Sequence, residues 1–277
     1  SLCKEFQGLG HKVTLFIPVF KCNSFADLNE LQTVETEGAV EICGKTETVK
    51  YMTAICESGG FEVVLVNHPC FAEKEAVYTY TENEQKADPA HVRGNGHVDA
   101  LYMDVLFQKS VAAYGSIVPR SEIPDILHCN DWETAPAIFY LKDYQALYSE
   151  YRNIRTVYTI HNIAYQGQFG KNELWDTFGL VEGWYEGALK YLYKGREDIN
   201  LMKGAMIMAD AVSTVSKTYS HELHSPEFGM GLEGVADIIR GKMYGILNGI
   251  DYDEFDPEND RLIPYSYNVN NFYEMKQ

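Results

Sequence analysis

The sequence predicts an α/β protein built on a doubly wound, mostly parallel sheet. Three observations predict it. Short apolar runs of strand length alternate with segments whose apolar residues recur at helical spacing. The connections between them suit crossovers that cover both faces of a sheet. With 45% hydrophobic residues among 277, the chain can also bury a large core.

The elements follow in order. Ser1-Leu2-Cys3-Lys4-Glu5-Phe6 reads as the middle of an amphipathic helix without its own start signal, so a preceding segment is expected. Lys12-Val13-Thr14-Leu15-Phe16-Ile17-Pro18 is an apolar run closed by proline, and Phe61-Glu62-Val63-Val64-Leu65-Val66 is a second; both are strands by length and β-branching. The weaker alternation of Ala39 to Ile42 and Thr46 to Ile55 between them predicts a hairpin. From Gly96 to about Val118, residues Val98, Leu101, Tyr102, Val105, Leu106 and Val111 keep helical spacing. Further strands are expected at Asp125 to Cys129, Arg155 to Ile160, Ala211 to Val215 and Tyr244 to Leu247. Helices are expected at Thr134 to Leu147, Ile199 to Ala209 and Ser216 to Leu223. No internal repeat or low-complexity linker interrupts this order.

Charge and composition exclude several functions. Forty Asp+Glu against 23 Lys+Arg leave a formal charge of −17, which repels polyanions, and no basic stretch with interleaved aromatics occurs, so nucleic acid is not an expected partner. Twenty tyrosines could stack on flat apolar ligand faces such as sugars, or serve as half-buried packing residues. Six scattered cysteines without a CxxC pair argue against a zinc knuckle and a disulfide framework, so a reducing, cytoplasmic compartment is expected. Apolar runs such as Val63 to Val66 are far shorter than the ~20 residues a membrane span requires, so no membrane partner is expected.

In a parallel sheet, ligands bind beyond the carboxyl ends of the strands, so the residues after each strand are the ones to inspect. After Ile126-Leu127 comes His128-Cys129-Asn130-Asp131-Trp132-Glu133. Asp131 here is either a carboxylate at a helix start facing a ligand or, with Asn130, a plain N-cap above a core Trp132. After Val157 to Ile160 comes His161-Asn162-Ile163-Ala164-Tyr165-Gln166-Gly167, donors and acceptors without turn or cap logic. Leu247-Asn248-Gly249-Ile250-Asp251 permits a tight turn with positive φ, through which a backbone amide could approach a ligand.

Other motifs fail on context. Gly229-Met230-Gly231-Leu232-Glu233-Gly234 matches GxGxxG, with Asp251 and Asp253 beyond it, but it follows a helix where a dinucleotide loop needs a strand. His221 and His224 lie at i and i+3, outside HExxH spacing, and suit a solvated helix end. No GxSxG elbow, P-loop or metal-ligand pattern occurs.

Five blocks together resemble one family: Asp125 to Glu133, Thr156 to Gln168, Ala209 to Ser216, Pro226 to Gly234, and Gly245 to Asp251. In this order they are similar to the signature blocks of bacterial glycogen synthases and plant starch synthases. The resemblance implies a Rossmann-like domain, the N-terminal half of a two-domain GT-B glycosyltransferase that moves glucose from ADP-glucose to the non-reducing end of an α-1,4-glucan with retention of configuration. It implies that residues 1–262 are the acceptor-side domain without its first strand and Lys-x-Gly-Gly-Leu loop, and that 263–277 lead toward a C-terminal nucleotide-binding domain. Asp131 and His161 then fall on the active-site aspartate and histidine. Trp132, Asn162, Tyr165, Gln166, Asn248 and Gly249 fall in or beside the glucose pocket, and Tyr78, with Tyr80 as the alternative, on a sugar-contacting tyrosine. The implied partners are the glucan, a sugar nucleotide as substrate and the chain's own second domain. No cofactor and no metal are implied, and the compartment would be a plastid if the source is a plant. A UDP-glucose-dependent relative and a non-catalytic glucan-binding module are the alternatives.

Overall fold

The computed structural model describes residues 2–34, 36–252 and 255–275; Ser1 and Asp253 lie outside them, as does the end of the 263–277 stretch. Residues Leu2–Gly8 form a helix (α1) that leads into β1 (Thr14–Pro18). β1 pairs in parallel with β5 (Glu62–Asn67), Thr14 opposite Glu62. β5 pairs antiparallel with the long β4 (Lys45–Cys56). β4 also carries β2 (Leu28–Thr33) and, as the expected hairpin, β3 (Gly38–Ile42). A second sheet has the order β12-β11-β7-β6, all parallel, from β6 (Ile126–Asn130), β7 (Arg155–Ile160), β11 (Ala211–Thr214) and β12 (Met243–Gly245). The short β8 (Gln168–Gly170), β9 (Lys190–Tyr193) and β10 (Arg196–Asn200) form a separate antiparallel sheet.

β5 shows why these runs are strands covered on both faces. Val64 and Val66 enter the main core, whereas Val63 and Leu65 pack on the opposite side with Leu15, Ile17 and Leu28. A continuous apolar run is what a strand buried on two faces requires. The main core lies between the sheets and two helices, α4 (Ala100–Tyr114) and α5 (Asp131–Leu147). Short α2 (Pro69–Ala72) and α3 (Glu82–Ala87) precede them in the chain. Val105, Leu106, Ile138, Phe139, Tyr158 and Ile160 are all fully buried there. The later helices include α6 (Leu201–Met208), α7 (Lys217–Glu222) and α8 (Glu233–Ile238).

Four expectations are corrected. The sheet is not single: β1 and β6 do not pair, and the first sheet takes three antiparallel strands. Ile199 and Asn200 belong to β10, because they pair with Phe169 and Gln168 of β8; α6 starts only at Leu201. β12 ends at Gly245: the Ile246 N–H still bonds the Thr214 carbonyl of β11, but Ile246 and Leu247 are exposed and Leu247 lies past the sheet. Gly249 lacks a positive φ, and residues 246–250 form neither a turn nor a strand.

β1 and β6 each end their sheet with an open, parallel edge. In a parallel strand the N–H and C=O of one residue point the same way. Val13 and Val19 bond to β5, so Thr14 and Phe16 aim their N–H groups away from it. Asp125 bonds to β7, so Ile126, His128 and Asn130 point outward from β6. Lys12, just before β1, forms an ion pair with Glu122, just before β6.

Asp210 fastens the start of β11 to β7. Its carboxylate accepts the N–H and O–H of Thr156, each at 2.8 Å, and pairs with Lys142 and Arg155. Burial opposes its ionisation, but the Thr156 bonds and Lys142 hold it below the usual carboxylate range. A carboxyl depressed by folding contributes stability that is present above its unfolded value and lost as pH falls through its folded value. Asp210→Asn is therefore expected to lower stability at neutral pH and to flatten the acid limb of the stability curve, measured by chemical denaturation at a series of pH values.

Candidate functional site

The site forms where β6 and β7 end side by side, Asn130 opposite Thr159. Asp131 opens α5 with φ +54°, the left-handed region that costs a non-glycine residue roughly 1–2 kcal/mol. Asn130 makes no side-chain cap bond to the helix. The Asp131 carboxylate turns instead to the neighbouring strand end: Oδ1 accepts the N–H of His161 at 2.8 Å and of Asn162 at 3.3 Å. Asp131 thus acts across the strands and not as a cap. The strain is held in place by the two amides it reaches.

His161 is exposed, and its Nε2 lies 3.1 Å from Asn130 Oδ1. With Nε2–H donating to that oxygen, Nδ1 is left to accept. Asn162 Oδ1 accepts the Ala164 N–H at 3.0 Å and shapes the loop, whose Ile163 N–H reaches the Tyr219 hydroxyl at 3.3 Å. Tyr165, in the same loop, is 67% exposed.

Gln166 is placed otherwise than the sequence suggested. It is buried beneath the loop, where a side chain cannot meet a sugar. Its Nε2 donates to the carbonyls of Ile163 and Met230, both at 3.1 Å, and its Oε1 accepts from Asn200 at 2.7 Å and Gln168 at 3.0 Å. All its capacity goes to joining the loop to β8, to the end of β10 and to the turn before α8. The N–H groups of Leu201 and Met202, at the start of α6, bond the carbonyls of Gly167 and Gln166. Gly167 has φ +63°, and a Cβ there would meet the Trp132 ring at 2.6 Å. Trp132 thus packs over glycine on one side and against Phe169 at 5.7 Å on the other.

The structure brings together Asp131, Trp132, His161, Asn162 and Tyr165. Tyr78, Asn248 and Gly249 make no hydrogen bond or ring contact to that group among the described residues. Asn248 and Gly249 are exposed beyond β12, two strands from β7. Tyr78 is 78% exposed on the lobe that follows α2, whereas Tyr80 is buried at 3%, stacked on His91, with its hydroxyl accepting the Val98 N–H. Of the two tyrosines, only Tyr78 is free to meet a ligand. Met230 and Gly231, in the GxGxxG match, have positive φ, but the segment joins α7 to α8 and no strand precedes it.

Several site residues were not foreseen. His128 Nε2 lies 2.7 Å from Thr159 Oγ1, which lies 2.7 Å from Ser213 Oγ, a polar row across three strands below His161. Burial first, then the nearby His161, pushes His128 down. Glu133 is pushed up by burial and by Asp131, and Asp104 on α4 up to about 7 by burial and Glu133. Strand periodicity could have found His128, which shares its side of β6 with Asn130; nothing in the sequence marks Asp104. Among the described residues, no group of three or more His, Cys, Asp or Glu could hold a metal, and no helix is long and apolar enough to cross a membrane.

Residues 1–237 match the starch synthase catalytic domain family. The chain belongs to that family. It is 33% identical over 271 residues to a glycogen synthase of Moorella thermoacetica, an alignment covering 97% of this chain and 50% of the relative. It is 45% identical over 146 residues to a glycogen synthase of Lactococcus lactis, covering 52% of this chain and 30% of the relative. The fold superposes on the catalytic domain of starch synthase IV from Arabidopsis thaliana bound to ADP and acarbose, with a TM-score of 0.80 and 27% identity over 97% of this chain and 51% of that one. The chain spans half or less of the curated relatives' length. The shared fold is the mixed α/β, parallel-sheet architecture of starch synthase catalytic domains.

Gly167→Ala is expected to destabilise the chain by about 2 kcal/mol or more, through positive φ and contact with Trp132. Chemical denaturation followed by tryptophan fluorescence measures both the loss and the displaced indole.

Proposed function

We propose that this chain is the acceptor-side half of a glycogen or starch synthase, which transfers glucose from ADP-glucose to the non-reducing end of an α-1,4-glucan with retention of configuration. The observation that carries the reading is the strained Asp131, with its carboxylate fixed by the amides of His161 and Asn162. Oδ1 is taken by those two amides, so Oδ2 is the oxygen left for a ligand. A fixed carboxylate stabilises positive charge that develops at a sugar ring, and preorganisation means that no group has to move when the charge appears. His161 Nδ1 accepts from a glucosyl hydroxyl, and Tyr165 and Tyr78 offer exposed rings to the glucan. The protein's work is positioning and electrostatics.

The segments 128–134 and 161–168 contain no Lys or Arg. Such a site suits a neutral sugar rather than a diphosphate. Cations for the donor's diphosphate, and with them the second domain, are assigned to the longer protein, as are a boundary near residue 262 and a connection through 263–277. All six cysteines are free, which fits a reducing compartment, the cytoplasm or a plastid. The slot between β1 and β6 takes one further parallel strand.

In the longer protein, Asp131→Asn and His161→Ala are each expected to lower kcat at least tenfold, about 1.4 kcal/mol of barrier. Near wild-type turnover in steady-state assays with maltooligosaccharide would reject the assignment. The 277-residue chain by itself is expected to show no ADP-glucose-dependent elongation. Hydrogen exchange tests the strand slot: the amides of Thr14, Phe16, Ile126 and His128 should be protected in the longer protein and exchange faster in this chain.

A further inference from the structure

Away from the strand ends of β6 and β7, four side chains form a second organised cluster. His68, the residue after β5, caps α2: its Nδ1 accepts the Cys70 N–H at 3.3 Å and lies 3.1 Å from Cys70 Sγ. An Nδ1 that accepts from an amide carries no proton, so the imidazole proton is on Nε2. That nitrogen lies 3.3 Å from Glu47 Oε2 on β4, and Glu47 Oε1 accepts the Tyr102 hydroxyl of α4 at 2.8 Å. The Tyr102 bond and, after it, His68 hold Glu47 below the usual carboxylate range against an opposing effect of burial. Phe71 meets the His68 ring edge-on at 6.2 Å. Sulfur, base and carboxylate thus stand in line, with the carboxylate anchored by a fourth residue and the ring by a fifth. This is the arrangement by which a base activates a nucleophile whose own acidity is too weak.

We propose that Cys70 is a modification site for small disulfides, activated by His68 with Glu47 as the orienting carboxylate. The thiol proton passes to His68 Nδ1, which releases the Cys70 N–H, as the sulfur attacks one sulfur of the disulfide. A new sulfur–sulfur bond forms, the old one breaks, and its electron pair leaves on the other half, which takes the proton back from His68. Cys70 is oxidised to a mixed disulfide and one half of the reagent is reduced to a thiol. Burial pushes the free Cys70 thiol up to about 12, so the resting group is the thiol and the base is needed. The other charged groups facing it are Asp99 and Lys74, paired with each other at 2.7 Å, and Glu73 beside Glu47. Cys70 is partly exposed, so a small reagent can reach it. An adduct there would sit at the root of the lobe that carries Tyr78.

The test is the rate of mixed-disulfide formation with oxidised glutathione, followed by peptide mapping. Exposed Cys22 and Cys43 serve as internal references. His68→Asn removes the base but keeps an acceptor for the cap. It is expected to slow Cys70 at least tenfold, with Cys22 and Cys43 unchanged. In the wild type the Cys70 rate should level off as pH rises; in His68→Asn it should climb throughout. Glu47→Gln should slow Cys70 severalfold. A Cys70 rate indifferent to His68→Asn, or no reaction at Cys70 while the chain is folded, overturns the proposal. Should His68→Asn fail to fold, the wild-type profile decides, and a rate that climbs without levelling rejects it.

Discussion

A single oxygen, Oδ1 of Asp131, ties the end of β6 to the end of β7, and the geometry of the site depends on it. Adjacent parallel strands bond through their backbones only as far as the strands last. Beyond Asn130 and Ile160 the two chains would diverge, one into a helix and the other into a loop. The carboxylate extends the ladder by one side-chain rung, accepting the amides of His161 and Asn162 where no carbonyl is available. The cost is a left-handed backbone at Asp131, and two charge-assisted hydrogen bonds offset it. The first turn of α5 and the start of the 161–167 loop therefore take up fixed places relative to each other.

The loop is set from below by different means. Gln166 uses its amide fully, and the first N–H groups of α6 bond the carbonyls of Gln166 and Gly167. Helix starts leave such donors without intrahelical partners, so a loop that offers carbonyls there is docked at little cost. The upper surface of the loop is left to His161, Asn162 and Tyr165. Rigid support beneath and polar groups above is the division a binding loop needs.

Much of this could be read from the residues, and the failures have physical causes. Apolar runs marked β5, β7 and β11 because both faces of those strands are buried. Asp131 and His161 stood out because they follow strands without serving turns. β2 escaped because Leu28-Asn29-Glu30-Leu31-Gln32-Thr33 is largely exposed along one side of β4 and carries no apolar alternation. The β9–β10 pair escaped because Arg196-Glu197-Asp198 reads as a charged loop; its strand character comes from pairing with β8 and β9. Gln166 matched a motif, but a motif does not say which side of a loop a side chain takes. The Cys70–His68–Glu47 line joins one strand, β4, to the cap and first turn of a short helix, and Glu47 lies 21 residues before His68.

The paired open edges of β1 and β6 also govern how this chain behaves in a tube. Among the described residues each presents backbone groups without a strand partner, the template on which a second chain can add itself. The Lys12–Glu122 ion pair lies before the first residue of each strand. Preparations of the 277-residue chain should therefore be prone to edge-to-edge association at high concentration, despite a charge of −17 that keeps copies apart at low salt. Raising the salt would remove that protection, so colloidal stability and ionic strength are coupled through the edges of the sheets.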